Sequence, residues 1–152
     1  MLLNNQIHSW YEQYKTGIFR YILSITHDSH LAEDILQDTF VQLIVGGIHF
    51  DPGKERAWLY KVARNKCFDV LKRNKKLQEL PVPASPNQDY NREFIEMISS
   101  LAPIEQEIVT LKIISGFSHK EISKIIGLTV AGTKKRYERA IQKLRVEMEV
   151  SL

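Results

Sequence analysis

The stretch SHKEISKIIGLTVAGTKKRYERAIQKLR (118–145) decides how this chain is read. Ser118 and Glu121 stand three apart ahead of Ile122, Ile125 and Ile126, the spacing of a capping box that opens a short helix. Gly127 provides a turn, and Thr129 can cap a last helix through about Glu149. A short helix, a glycine turn and a longer basic helix make a helix-turn-helix. On a helical wheel Val130, Thr133, Tyr137, Ile141, Leu144 and Met148 form one stripe. Lys135, Arg139, Gln142 and Lys143 project from the opposite side, flanked by Arg136 and Glu138. Cations on an exposed helix suit a DNA groove, where they donate to guanine edges or phosphates, while a carboxylate can accept from cytosine. The competing reading is a solvated amphipathic helix. The capping box, the turn glycine and the preceding helix favour duplex DNA.

Upstream of this motif the periodicity stays helical and strand signals are weak. Asn91 can cap a segment carrying Phe94, Ile95, Ile98 and Leu101. Pro103 suits the first turn of the next, with Ile104, Ile108 and Leu111, and Gly116 breaks it. LQELPVPASPNQDYN (77–91) is proline-rich and without apolar period, which reads as a linker. Ahead of it, Ile7, Trp10, Tyr14, Ile18, Tyr21, Ile22 and Ile25 mark a first helix. Asp28 or Ser29 caps a second, with Glu33 and Asp34 in its first turn, carrying Leu31, Ile35, Leu36, Phe40, Leu43 and Ile44. Gly46-Gly47 ends it, and residues 48–53 read as a loop. A third helix runs from about Lys54 to Lys76. The expectation is an all-α chain of two small helical domains, 1–76 and 92–152, joined by the linker 77–91, each with its own small core.

Composition narrows the function. The 152 residues are 43% apolar and 26% charged, as a folded globular chain should be. The single cysteine, Cys67, excludes a disulfide framework and reads as a small buried hydrophobe. His8, His27, His30, His49 and His119 form no metal constellation. No phosphate-binding glycine loop, nucleophile elbow or paired-carboxylate motif is present, so no enzyme, cofactor or metal is expected. No apolar run approaches the ~18 residues of a membrane span, and no secretory signal is visible, which makes the cytoplasm the default compartment. The net charge of +3 conceals four blocks: residues 1–53 carry −4, 54–76 carry +7, 77–111 carry −5 and 112–152 carry +5.

The second block, RAWLYKVARNKCFDVLKRNKK (56–76), mixes cations with Trp58, Tyr60 and Phe68. Lys61, Arg64, Lys72 and Lys75 fall on one side of the helix, with Phe68 among them. Charges that track a backbone beside rings that stack on bases suit single-stranded nucleic acid. The alternative places Trp58 and Phe68 in the core. In the helix before it, Asp34, Gln37, Asp38 and Val41 share an arc of about 100°. That mixed acidic and apolar face can receive a basic partner helix.

In order and spacing, HLAEDILQDTF (30–40), AWLYKVARNKCFDVLKRNKK (57–76), the linker and LAPIEQEIVTLKIISGFSHKEISKIIGLTVAGTKKRYERAIQKLR (101–145) resemble a bacterial sigma factor of the extracytoplasmic-function group. The resemblance implies that Asp34, Gln37 and Asp38 dock on the β′ clamp helices of core RNA polymerase, with the β flap as a further contact. It implies that the helix carrying Arg64, Asn65, Asp69, Lys72 and Arg73, which match R-N-x-x-x-D-x-x-[KR]-R, engages the promoter near the start site and holds it open, with Asp69 orienting neighbouring cations. His49 and Phe50 match a loop that captures a flipped base. Lys134, Lys135, Glu138 and Arg139 match the reader of the upstream promoter element, with Ser118 and Lys120 near phosphates. An anti-sigma factor is the further partner implied. Two positions depart from the family: Ala131-Gly132-Thr133-Lys134-Lys135-Arg136 stands against [GS]-T-V-K-S-R, and Gln106 stands where arginine is common. The alternatives are a stand-alone helix-turn-helix regulator of duplex operators and a protein-only adaptor.

Overall fold

A computed structural model describes residues 4–46, 51, 53–77 and 89–151. His49, Phe50 and the prolines of the linker lie outside the described residues. The chain forms α1 (Asn4–Thr26), α2 (Ser29–Val45), α3 (Glu55–Leu77), α4 (Asp89–Ile98), α5 (Pro103–Val109), α6 (His119–Ile126) and α7 (Val130–Ser151). A π-helical turn, Thr110–Ile114, continues α5. The described residues contain no strand, so the expected all-α class holds.

Helix boundaries follow from local chemistry. Asp28 caps α2 by accepting from the His30 and Leu31 N–H groups at 3.0 and 3.1 Å. The first turn of α2 carries no acidic residue, so Glu33 and Asp34 sit deeper than expected and Asp28 alone faces the helix dipole. Gly46 ends α2 in a right-handed conformation, without the left-handed turn glycine usually supplies. Helix α4 begins at Asp89, which places Asn91 inside the helix rather than at its cap. Pro103 opens α5 as expected, and Glu105 accepts from the Ala102 N–H at 2.9 Å. Alanine has no side-chain oxygen to return the bond, so only one arm of a capping box forms. Thr110 donates its hydroxyl to the Gln106 carbonyl at 2.7 Å, a competing bond inside the helical ladder. The ladder then widens, with the Ser115 N–H reaching the Thr110 carbonyl at 3.1 Å. This π turn sets Ser115 and Phe117 against α3.

Helices α1, α2 and α3 pack as a three-helix unit, and α5, α6 and α7 pack as a second. The small cores of the two units are in contact, and the buried residues form one continuous cluster. Helix α1 packs against α4, α5 and the π turn as well as against α2 and α3. Tyr60, one of the aromatics mixed with the cations of α3, is buried at this junction. Its ring meets Tyr21 at 5.5 Å and Phe117 edge-on at 4.8 Å. Both small units thus gain apolar burial that neither could supply alone.

Gly17, in the middle of α1, is explained by the same junction. A Cβ there would overlap the Tyr60 hydroxyl, which lies 2.7 Å from Ser115 Oγ. Mid-helix glycine costs about 1 kcal/mol relative to alanine, so ordinary helix propensity predicts that Gly17→Ala stabilises. The structure predicts the opposite, a loss of about 1–3 kcal/mol from overpacking, read as a lower urea midpoint. A raised midpoint would contradict the close approach at Tyr60.

Candidate nucleic-acid interface

The helix-turn-helix is built as its sequence requires. Ser118 Oγ accepts from the Glu121 N–H at 3.1 Å, and Glu121 Oε1 accepts from the Ser118 N–H at 3.0 Å. That backbone bond is the main reason the Glu121 carboxyl is held below its ordinary value. Gly127 adopts φ 75°, the left-handed conformation that ends α6 without a Cβ clash. Thr129 caps α7, its Oγ1 accepting from the Gly132 N–H at 3.0 Å. A Cβ at Gly132 would sit 2.9 Å from that same Oγ1. Gly132 therefore leaves room for the capping threonine.

The buried seam of α7 is not quite the stripe expected. Thr133 and Ala140 are fully buried, and Tyr137, Ile141 and Leu144 are half-buried. Val130 and Met148 belong to the exposed surface, at 47% and 70% exposure. A helical wheel puts both near the face of Tyr137, but Val130 is the first residue of α7 and Met148 lies in its last turn, where they remain exposed. Ala140 was missed because alanine carries little hydrophobic signal.

Ser118, Lys120, Lys134, Lys135, Arg136, Glu138 and Arg139 are all exposed except for backbone capping by Ser118. Lys143 is used otherwise, its Nζ lying 2.7 Å from Glu105 Oε1. His119 meets the Tyr137 ring edge-on at 5.2 Å, and burial followed by Lys112 and Lys134 lowers its pKa.

On α3, Lys61, Asn65, Asp69, Lys72 and Arg73 are exposed, and Phe68 is 41% exposed. Trp58 instead packs half-buried against the core. The Arg64 guanidinium lies 4.6 Å from the Phe68 ring centroid. Its Nε donates at 2.8 Å to Glu107 of α5. Cys67 is fully buried, and desolvation followed by the Glu107 charge pushes its thiol up to about 12. It is the inert core residue the sequence suggested.

On α2, Asp34, Gln37, Asp38 and Val41 are exposed. Gln37 and Val41 line an open groove of about 430 Å³ with Ile7, His8, Tyr11, Phe40 and Ile44. Gln37 donates to the Tyr11 hydroxyl at 3.3 Å. Val41, Ile44 and Val45 are 51, 59 and 77% exposed. Beside the Asp34 and Asp38 carboxylates they make an apolar patch of the kind that marks a protein contact.

The Sigma-70 region 2 family matches residues 10–77, and the Sigma-70 region 4 family matches residues 91–144. The sigma factor SigM of Bacillus subtilis, of the extracytoplasmic-function group, is 31% identical over 147 residues, covering 89% of this chain and 90% of that protein. The chain belongs to the extracytoplasmic-function sigma factors. Such a factor directs core RNA polymerase to promoters. The RNA polymerase sigma factor CarQ of Myxococcus xanthus is 27% identical, covering 86% of this sigma factor and 85% of its relative. The fold is shared with CnrH, solved with the cytosolic domain of CnrY, at TM-score 0.78 and 21% identity over 99% of this chain and 92% of that one. It is shared also with RpoE, solved with the anti-sigma factor NepR from Bartonella quintana, at TM-score 0.72 and 22% identity over 95 and 99%.

The Glu105–Lys143 pair ties α5 to α7. Burial works to raise the Glu105 carboxyl, but the Lys143 ammonium and the Ala102 N–H outweigh it and lower the value. A depressed carboxyl contributes stability that is present above its unfolded pKa and is lost as pH falls through the folded one. Unfolding free energy measured against pH should therefore fall on the acid side, and Glu105→Gln should flatten that part of the curve. An unaltered acid slope in Glu105→Gln would contradict the assignment.

Proposed function

We propose that this sigma factor divides its work among three helices. Helix α2 docks on the polymerase through Asp34, Gln37, Asp38 and Val41, toward the β′ clamp helices. Helix α3 holds unpaired start-site-proximal DNA through Lys61, Arg64, Asn65, Lys72 and Arg73, with His49 and Phe50 of the preceding loop capturing a base. Helix α7 reads the upstream duplex element through Lys134, Lys135, Arg136, Glu138 and Arg139, with Ser118 and Lys120 at phosphates. Residues 1–76 and 92–152 are then the two working domains, and 77–91 the linker that spans between them. Region 4 also meets the β flap.

The observation that carries this reading is the α2 face. Exposed Val41, Ile44 and Val45 beside carboxylates, over a groove lined by Tyr11 and Phe40, need a protein partner. A stand-alone operator-binding regulator has no use for that face or for an exposed cationic face on α3. Among the described residues no helix is long and apolar enough to cross a membrane. We place the factor in the cytoplasm, under control of an anti-sigma factor, as its two solved relatives suggest. It performs no catalytic step; phosphodiester chemistry belongs to the polymerase.

Reconstitution with core polymerase and promoter-library DNA should yield start-site-specific transcripts. Asp38→Arg should weaken polymerase association by at least about tenfold, because like charges facing each other across an interface cost several kcal/mol. Equal affinity for Asp38→Arg and wild type refutes the α2 assignment. Lys135→Ala and Arg139→Ala should each relax upstream-element selectivity by about 1–3 kcal/mol while leaving polymerase affinity intact. Unchanged selectivity in both removes α7 as the reader.

A further inference from the structure

His119 opens α6 between Ser118 and Lys120, the two residues read as meeting phosphates. Its ring meets Tyr137 of α7 edge-on, with the centroids 5.2 Å apart. Its Nδ1 is buried and has no hydrogen-bond partner. A ring that served packing alone would need no nitrogen there, since phenylalanine makes the same edge contact without burying an unpaired polar atom. The charges around it are mostly positive. Lys112 acts on it from the π turn and Lys134 from α7, and both disfavour an imidazolium. Glu138 of α7 pulls the other way and is outweighed by burial and the two ammonium groups. On its own helix, Glu121 turns its carboxylate to the Ser118 N–H at 3.0 Å. Lys134 and Glu138 are exposed on the helix read as entering the groove, so His119 lies against that helix among its charged side chains.

We propose that His119 couples binding of the upstream duplex to proton uptake: its ring is neutral in the free chain and takes a proton from solvent when a DNA phosphate settles among His119, Lys112 and Lys134. The inference rests on the reading of α7 as the duplex reader. An imidazolium carries a proton on both ring nitrogens, and in the free chain the Nδ1 proton would find no acceptor. Burial and the two ammonium groups work in the same direction and hold the ring below its ordinary value. A phosphate reverses the local field, because its negative charge and acceptor oxygens favour the charged form of the ring. The direction of the pH dependence follows. Above the pKa of the bound state the ring is neutral with or without DNA, and pH has no effect through it. As pH falls through the window between the bound and the free value, binding takes up a proton and tightens. Below the free value the ring is charged in both states and the gain is complete. Histidine is the side chain whose ordinary range brings this window close to neutral pH.

The test uses the full chain assembled with core polymerase, on a promoter duplex that this holoenzyme selects from a library. Affinity is measured between about pH 8 and pH 5.5, the range in which histidine changes charge. His119→Phe keeps the edge contact with Tyr137 and removes both nitrogens, and His119→Gln keeps a donor that does not titrate. The ratio of wild-type to His119→Phe affinity should rise about three- to tenfold as pH falls across this range, because an opposite charge nearby moves a pKa by about one unit or more and each unit is tenfold. The ratio to His119→Gln should rise in the same way. Every other titrating group is common to the three chains and cancels in these ratios. Lys112→Met, which removes a repelling neighbour, should move the midpoint of the wild-type profile to higher pH, a shift that a merely structural ring would not show. Ratios that stay flat against both His119 variants overturn the proposal, as does an unmoved midpoint in Lys112→Met. If His119→Phe loses helix by circular dichroism, His119→Gln decides on the same criterion. Lys135→Ala and Arg139→Ala test the underlying reading separately on the same promoter: undiminished selectivity in both removes α7 as the reader, whereas the proton linkage stands or falls on the His119 profiles.

Discussion

A carboxylate at 3% exposure cannot be left without partners, and Glu107 finds them only in the other half of the molecule. Tyr21 on α1 and Arg64 on α3 both point to its Oε1. Burial and the nearby Glu107 charge push the Tyr21 phenol well above its ordinary value, so it remains a donor throughout the working pH range. Breaking such a buried pair from one side costs about 3–5 kcal/mol, whereas separating both partners into water costs far less net. The contact is therefore intolerant of mutation yet compatible with opening.

Much of the architecture serves that meeting. Gly17 thins α1 where Tyr60 must pass, the π turn brings Ser115 and Phe117 onto α3, and His27 takes φ 54° between α1 and α2 where its ring reaches Gln106. A non-glycine residue at positive φ is uncommon, and histidine is among the types that tolerate it better. The outward faces proposed for polymerase and duplex DNA, by contrast, are left to exposed side chains on α2 and α7. Their anchoring comes from caps at Asp28, Ser118 and Thr129. The same protein thus separates residues that hold the closed shape from residues that await a partner, with Arg64 as the side chain shared by both.

The helices were legible because their caps and periods are local. Asp28, Pro103, the Ser118–Glu121 box, Gly127 and Thr129 each act within a few residues, and the structure uses every one of them. The errors also have local causes. Asn91 is a good capping residue, but helix α4 begins two residues earlier. Ala140 carries little apolar signal and was missed, while Val130 and Met148 share the expected stripe but stay exposed at the two ends of α7. The junction between the units could not be read in the same way. It depends on Glu107 meeting Arg64 across 43 residues and Tyr21 across 86, separations at which no periodicity survives. Two signals did point to it: a glycine in the middle of an otherwise strong helix, and a glutamine where the family usually has arginine.

The central claim is that Glu107, through Tyr21 and Arg64, joins the two units into one closed shape. Energy transfer between dyes at Gln13→Cys on α1 and Lys124→Cys on α6, both exposed sites, measures that closure directly; buried Cys67, with its thiol pushed up to about 12, should stay unlabelled. The account predicts high transfer in the otherwise unaltered chain and lower transfer when Glu107→Gln is added. Equal transfer in the two chains would contradict it.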